Sequence, residues 1–253
     1  MERDLPLHLA DMTYPEAATL RDAGAVGFLP TGATEAHGPH LPLSTDVIIS
    51  RTSAERAVRR LRGKGRAAAV LPPLAYAVTE FAAGFGGTIS LPLDTARAMV
   101  RDVILGAERA GFAAVVICNA HLEPGNLQAL REGMEAAREG GARVAFPDVT
   151  RKPHALRLGD EFKSGACHAG RYETSLVMAA EPFLVRRTIA EKLAPNPSSL
   201  SVAIRDGKES FEEAGGPEAY FGWPADATEA EGNALHDVLA DIYATAAEEL
   251  LEG

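Results

Sequence analysis

Two short segments of the sequence combine carboxylates and imidazoles at a spacing that suits metal binding. The first contains Glu35, His37 and, further on, Asp46; the second contains His121 and Glu123. Because alternate side chains of extended backbone point the same way, each Glu/His pair can direct two ligands at one point. A carboxylate such as Asp46 has two oxygens and can bridge two cations about 4 Å apart. The two segments therefore predict a two-metal centre.

The ligand types indicate which metals such a centre would hold and what they would do. Mixed His and carboxylate ligands without Cys favour Zn²⁺ or Mn²⁺ over Mg²⁺ or Cu⁺. Bound cations lower the pKa of water to about 7, which makes hydroxide available at neutral pH. The pattern therefore predicts hydrolysis by a metal-activated water.

Each of these residues also has an ordinary structural explanation. Thr45 or Asp46 stands where a helix N-cap is expected. Glu123 precedes Pro124 and could be an acid that the dipole favours in the first turn of a helix. His37 lies beside Gly and Pro and, taken alone, suits a turn. The metal hypothesis depends on four of the seven histidines falling in these loops or in one further loop.

That further loop contains His168 and leads into a helix that carries Glu173. The ordinary pKa of histidine, about 6.5, lets His168 act as a general acid or base at neutral pH. Glu173 borders the buried face of its helix and needs a partner there. Alternatively, His168 has only a structural role, with its ring hydrogen-bonded to the backbone. Cys167 is a poor candidate for a nucleophile that His168 activates, because the side chains of adjacent residues rarely face each other.

Helix-like and strand-like segments alternate along the chain. Helical periodicity covers residues 14–23, 47–61 and 96–110, a stretch from about 124, one around 172–180, and the C-terminal 235–246. Strands are predicted at 26–30, 67–71, 88–91, 113–118 and 143–149. The apolar run 113–118 is typical of a central strand buried on both faces. Residues 195–232 read as long functional or interfacial loops.

This β-α-β order predicts one α/β domain over residues 1–253, a three-layer α/β/α sandwich with a mostly parallel central sheet. Ligands of such sheets bind beyond the carboxyl ends of the strands. Both candidate metal-binding segments follow predicted strands, so the fold itself would bring them together.

The composition of the chain limits the kinds of molecule that it is expected to bind and the compartment in which it is expected to work. The formal charge of −10 argues against binding to nucleic acid. Two cysteines cannot form a disulfide framework, and the N-terminal residues lack the layout of a signal peptide, so we expect a cytoplasmic location. No apolar run approaches the ~20 residues of a membrane span. Serine-hydrolase elbow, Walker, H-E-x-x-H and paired C-x-x-C motifs are also missing from the sequence.

The sequence resembles the creatininase family, the creatinine amidohydrolases and their relatives. The matching stretches follow in the same order along most of the chain: 29–42 with Asp46, 84–90, 119–121, 168–170 with 173–175, and 222–232. The resemblance implies an α/β/α hydrolase with two divalent metals per subunit, commonly zinc or manganese, assembled as a homohexamer. The first stretch is the most specific.

By resemblance, Glu35 and His121 would hold one metal, His37 and Glu123 the other, and Asp46 would bridge them. His168, oriented by Glu173, would deliver a proton to the departing nitrogen, with Glu123 as a second candidate for proton transfer. Thr79, Leu122, His168 and the loop 84–87 would line the substrate pocket. The predicted reaction is hydrolysis of a C–N amide bond in a small cyclic or linear amide.

Creatinine itself is not the expected substrate. By resemblance, creatininase places aromatic residues between its metal-binding His and Glu and just before the His168 motif. Here those positions hold Leu122 and the run 164–167. Two other functions stay open on the sequence alone: a metal-dependent isomerase or lyase acting on a small polar metabolite, and an inactive relative that binds a ligand.

Overall fold

The computed structural model describes residues 5–252 and is built on a four-stranded parallel sheet. The strand order is β2-β1-β3-β4. The strands are β1 (Val26–Thr31), β2 (Ala68–Val70), β3 (Ala114–Asn119) and β4 (Val144–Ala145). Strands β1 and β3 lie in the centre; the apolar run 113–118 predicts this position for β3.

Helices cover both faces of this sheet in the described part of the chain. They are α1 (Tyr14–Asp22), α2 (Thr45–Gly63), α3 (Leu93–Arg109), α4 (Pro124–Glu139), α5 (Gly159–Ser164), α6 (Arg171–Ala180), α7 (Arg187–Ala190), α8 (Leu200–Arg205) and α9 (Glu229–Glu252). The predicted three-layer α/β/α sandwich is confirmed. None of the helices within residues 5–252 is long and apolar enough to span a membrane.

Alternate residues of the central strands enter two separate cores. Val116 and Cys118 of β3 face the core that α2, α6 and α9 cover, whereas Val115 and Ile117 face the core under α1, α3 and α4. This alternation follows from the two-residue repeat of a strand. Both sides are buried because helices lie on both, which explains the unbroken apolar run in the sequence.

Three of the predicted elements differ from the structure. Residues 88–91 form no strand; Ser90 makes only an isolated bridge to Ala77. The strand predicted at 143–149 is only β4, because beyond Ala145 the chain leaves β3 and turns. The loops at 195–232 include the short helix α8, whose six residues are too few to show a helical period.

The turn after β1 fixes the start of α2 and gives a first prediction. A Cβ on Gly32 would lie 2.5 Å from Cβ of Asp46. We expect Gly32→Ala to destabilise the protein by about 1–3 kcal/mol through overpacking and to weaken metal binding by displacing Asp46. Urea unfolding of the metal-free protein measures the first effect.

Gly63 supplies the matched control, because a Cβ there would meet nothing within 4 Å. Gly63→Ala in the last turn of α2 should leave stability unchanged or raise it by up to about 1 kcal/mol. Equal free energies of unfolding for Gly32→Ala and Gly63→Ala would show that Gly32 and Asp46 are not tightly packed against each other.

Candidate metal centre

The carboxyl ends of β1 and β3 bring the two predicted ligand segments side by side. The strands pair in register up to Thr31 and Asn119, and the Thr31 hydroxyl donates a hydrogen bond to the Asn119 side chain at 3.0 Å. Glu35 and His37 follow the first strand and His121 follows the second. The structure therefore joins segments that are far apart in the sequence.

One group of ligand atoms consists of Glu35, Asp46 and His121. The Nδ1 atom of His121 lies 3.3 Å from Oε1 of Glu35 and 3.3 Å from Oδ2 of Asp46. All three side chains are buried, and their ligand atoms lie within 4.8 Å of one another. These distances suit three ligands that point at one cation.

A second group shares Asp46 and adds His37 and Glu173. The Nε2 atom of His37 lies 3.2 Å from Oδ1 of Asp46 and 3.6 Å from Oε2 of Glu173. Asp46 thus presents one oxygen to each group. It lies in the first turn of α2 and makes no capping hydrogen bond with its side chain; the N-cap is Ser44.

Glu123 lies outside every such group within residues 5–252. Its two carboxylate oxygens accept hydrogen bonds from the backbone N–H groups of Glu80 (2.9 Å) and Phe81 (3.2 Å). The resemblance implies that Glu123 holds the second metal and that Glu173 orients His168. In the structure, Glu173 instead occupies the position expected for Glu123. The sequence signal for Glu173 was an acid at the buried start of α6 without an evident partner.

Backbone carbonyls orient the rings of the two histidines that are candidate metal ligands. Nε2 of His121 donates to the Val78 carbonyl at 2.8 Å, which leaves the Nδ1 lone pair for a metal. Nδ1 of His37 donates to the Glu35 carbonyl at 3.2 Å, which leaves its Nε2 free. Metal-binding histidines in proteins are oriented by such outer hydrogen bonds.

The residues present fit a bound cation. Nε2 of His37 and Oδ1 of Asp46 are buried without a hydrogen-bond partner, a costly state that a metal would relieve. Burial raises the pKa of Glu173 to about 8 in spite of the nearby His37 imidazole. Burial alone would lower the pKa of His37, yet the carboxylates around it, above all Asp46, raise it to about 10. The carboxylates of the cluster therefore favour positive charge at this place, which ring protons supply in the metal-free protein and which a bound cation would supply instead.

His168 lies beside the cluster with a defined orientation. Its Nε2 donates to the Ala36 carbonyl at 3.0 Å, and its Nδ1 lies 3.9 Å from Oε1 of Glu35. The His37 and Phe211 rings flank it at centroid distances of 4.4 and 4.3 Å. Burial lowers the pKa of His168 to about 4. Glu173 accepts from the Ala169 N–H instead, so it does not orient this ring directly.

Thr79 is buried and donates its hydroxyl hydrogen bond to Oε2 of Glu35. It is not among the residues that line the cavity, so the structure places it behind the candidate ligand Glu35 and not on the wall where the sequence predicts it. Thr79→Val should therefore weaken metal affinity by about 10–100-fold, the usual effect of losing an outer hydrogen bond.

Competition against a chromophoric chelator measures that change, and Thr79→Ser is its matched control because it keeps the hydroxyl. Unchanged affinity in Thr79→Val would mean that the bond to Glu35 has no bearing on metal binding.

Comparison with known proteins decides the family. The family model named Creatininase, described as creatinine amidohydrolase, matches residues 10–247. The chain belongs to the creatininase family. Family membership and the activities named for its relatives make it a hydrolase acting on C–N bonds. The family resemblance drawn from residues 29–42 and the later stretches is thereby confirmed.

Relatives in the creatininase family carry two kinds of name. The mycofactocin precursor peptide peptidase of Mycobacterium tuberculosis (strain H37Rv) is 31% identical over 84% of this chain and 80% of its own length. The creatinine amidohydrolase of Pseudomonas putida is 29% identical over 70% of this chain and 73% of its own length. A solved structure titled "Creatininase Mn" superimposes with a TM-score of 0.77 at 25% identity, covering 97% of this chain and 98% of that one.

The five candidate metal ligands of this creatininase-family chain (Glu35, His37, Asp46, His121 and Glu173), called the metal cluster below, lie at the buried end of a cavity of about 440 Å³. Glu35, Asp46, His121, His168 and Glu173 all line it, and so do Glu123 and the predicted pocket residue Leu122. The loop 84–87 does not contribute to the lining, although Phe81 just before it does. The cluster can therefore meet a ligand that enters from solvent.

Proposed function

We propose that this chain binds two divalent cations, Zn²⁺ or Mn²⁺, and hydrolyses a C–N amide bond of a cyclic or linear amide. One cation would be held by Glu35, Asp46 and His121, the other by His37, Asp46 and Glu173. The observation that carries the proposal is Asp46, whose two oxygens each face a different His/Glu pair. A shared carboxylate of this kind is how two-metal hydrolases hold their ions.

The cations would supply two things when bound: a water acidified towards neutral pH and polarisation of the amide carbonyl. The remaining chemistry belongs to the protein. Water cleaves the C–N bond: its OH group joins the carbonyl carbon to give a carboxylic acid, which releases its proton to solvent or to the amine at neutral pH, and the nitrogen leaves as an amine. One proton must move from water to that nitrogen.

In this proposal Glu123 moves the proton. Its carboxylate lines the cavity, and burial raises its pKa, which favours uptake of a proton. The N–H groups of Glu80 and Phe81 hold both oxygens in place, while each oxygen keeps a second lone pair for a proton. In this proposal Glu123 acts as a proton carrier and not as a metal ligand.

His168 would hold the reacting amide from the other side. Its Nε2–H is committed to the Ala36 carbonyl, so the neutral ring offers the lone pair of Nδ1. That atom can accept a hydrogen bond from water or from the amide N–H and pass a proton to the departing nitrogen once it is charged. The rings of His37 and Phe211 flank the His168 ring and help to fix its orientation.

The substrate we propose is not creatinine. The wall next to the ligands carries Leu122 where creatininase, by resemblance, has an aromatic residue, and the cavity is of the size that encloses a drug-sized ligand. The relatives named as precursor peptide peptidases extend the candidates to peptide amides. The cytoplasmic location stays a prediction from the sequence, and the homohexamer stays an expectation from the family resemblance.

The experiment is an assay of metal-loaded and chelator-treated protein against lactams, N-acyl amino acids and short peptides, with products identified by mass spectrometry. Hydrolysis predicts a gain of one water and release of equal amounts of carboxylate and amine, lost on chelation and restored by Zn²⁺ or Mn²⁺. A metal-dependent change with no gain of mass would contradict the proposal and favour isomerisation.

A further inference from the structure

The walls of the cavity differ in chemistry from its floor. Above the buried metal cluster, the lining includes the aromatic rings of Phe81, Phe162 and Phe211 together with Leu122. Apart from the metal-cluster residues and Glu123, the charged side chains in the lining are Lys152 and Lys163. Apolar walls that end in cations suit a ligand with an apolar body and an anionic end.

Burial places the two lysines at the mouth. Both are exposed, whereas the floor residues Glu35 and Asp46 are each 1% exposed. Lys163 pairs with Asp160 at 2.6 Å, but Lys152 has no acidic partner within ion-pair distance in the described part of the chain. Lys152 therefore presents a positive charge, unpaired among the described residues, at the mouth of a cavity in a protein of net charge −10, and Lys163 adds a second cation that a ligand would share with Asp160. Cations in this place attract anionic ligands and disfavour cationic ones.

The geometry also indicates which side of the amide is apolar. Phe211 lies 4.3 Å from the His168 ring, and the N–H of Phe81 donates to Glu123. His168 and Glu123 are the groups that would deliver the proton to the departing nitrogen. In the proposed reaction, Phe211 and Phe81 would therefore adjoin the departing amine.

From these observations we propose that the substrate is an amide whose amine portion is a bulky apolar amino acid with a free carboxylate. The amide carbonyl lies at the metal cluster, the apolar side chain lies against Phe81, Leu122 and Phe211, and the carboxylate meets Lys152 and Lys163. An N-acylated amino acid and the C-terminal end of a peptide share this chemistry. The inference rests on the proposed amide hydrolysis at the same site.

Three matched amides test the substrate class with the metal-loaded protein. N-acetyl-L-phenylalanine has both features, N-(2-phenylethyl)acetamide lacks the carboxylate, and N-acetylglycine lacks the apolar group. We expect kcat/KM for N-acetyl-L-phenylalanine to exceed that for each of the others by at least about tenfold. Acetyl-Ala-Ala-Phe distinguishes the two sources: release of phenylalanine at a higher kcat/KM would favour the peptide.

Lysine variants test the role of the mouth. Lys152→Gln and Lys163→Gln should each raise KM for N-acetyl-L-phenylalanine about fivefold with kcat unchanged, as expected for one partly exposed ion pair. Neither should alter turnover of N-(2-phenylethyl)acetamide. Lys152→Arg should restore the KM. Lys192→Gln is the control, because Lys192 is exposed but lies outside the cavity lining.

Calorimetric binding of the same three amides separates this inference from the proposed function. Selective binding of N-acetyl-L-phenylalanine that the lysine variants weaken, without turnover, would support the inference and overturn the hydrolytic function. Turnover of all three amides at equal rates would overturn the inference alone. Equal affinity for N-acetylglycine and N-acetyl-L-phenylalanine, unaffected by the lysine variants, would indicate that the carboxylate binds at the metals. That result would also overturn the inference.

Discussion

The Asp46→Ala variant is expected to retain neither metal ion and to lose amide hydrolysis by roughly a thousandfold or more, because one side chain serves both ions. Asp46 is 1% exposed and lies 3.2 Å from Nε2 of His37 and 3.3 Å from Nδ1 of His121. Without its oxygens, each ion keeps only one imidazole and one carboxylate from the groups described. Elemental analysis of the purified protein measures the loss.

Asp46→Asn refines this result. It can still accept the hydrogen bond that the Ala33 N–H donates to Oδ2 at 3.1 Å, so the loop should stay in place. A neutral amide cannot bridge two cations, so we expect fewer than two ions per chain here too. Circular dichroism and the melting temperature check the fold, and Asp237→Asn on the exposed face of α9 is the matched control. Two ions per chain in Asp46→Ala would contradict the bridging role.

Glu173→Gln and Glu123→Gln should both lose activity, but for different reasons. Glu173 lies 3.6 Å from Nε2 of His37, so Glu173→Gln should lose the second ion and, with it, activity by about a hundredfold or more. Glu123 contacts the backbone of Glu80 and Phe81, so Glu123→Gln should keep both ions but lose proton transfer, which lowers kcat by about 10²–10⁴-fold.

Metal content and kcat measured on both variants separate ligand from proton carrier. Metal addition should also raise the melting temperature of Glu123→Gln as much as that of the unaltered protein, since binding to the folded state alone stabilises it. The opposite pattern, with loss of an ion in Glu123→Gln and retention of both ions in Glu173→Gln, would identify Glu123 as a metal ligand and exclude Glu173 as one.

The sequence predicted the layers and much of the site because both depend on local pattern. The unbroken apolar run of β3 reflects burial on both faces of a strand, and the helical periods of α2, α3 and α9 reflect burial on one face of a helix; both leave a clear signal in the sequence. The Glu35/His37 pair and His121 follow strand ends, where a parallel sheet gathers its ligands. Segment 88–91, in contrast, has strand-like residues but no neighbouring strand to pair with.

The division of roles between Glu123 and Glu173 could not be deduced from spacing. His121 and Glu123 are two positions apart, and extended backbone would aim both at one point. However, Glu123 is the N-cap residue of α4 and its side chain turns to the N–H groups of residues 80 and 81. Glu173 reaches the cluster because α6 packs against α2, a tertiary contact with no trace in local sequence.

Anomalous diffraction at the metal edge from crystals of the purified protein tests the two-metal centre most directly. We predict two peaks about 4 Å apart, one among Glu35, Asp46 and His121 and the other among His37, Asp46 and Glu173. A single peak, or a second ion bound to Glu123 in place of Glu173, would contradict the proposed centre.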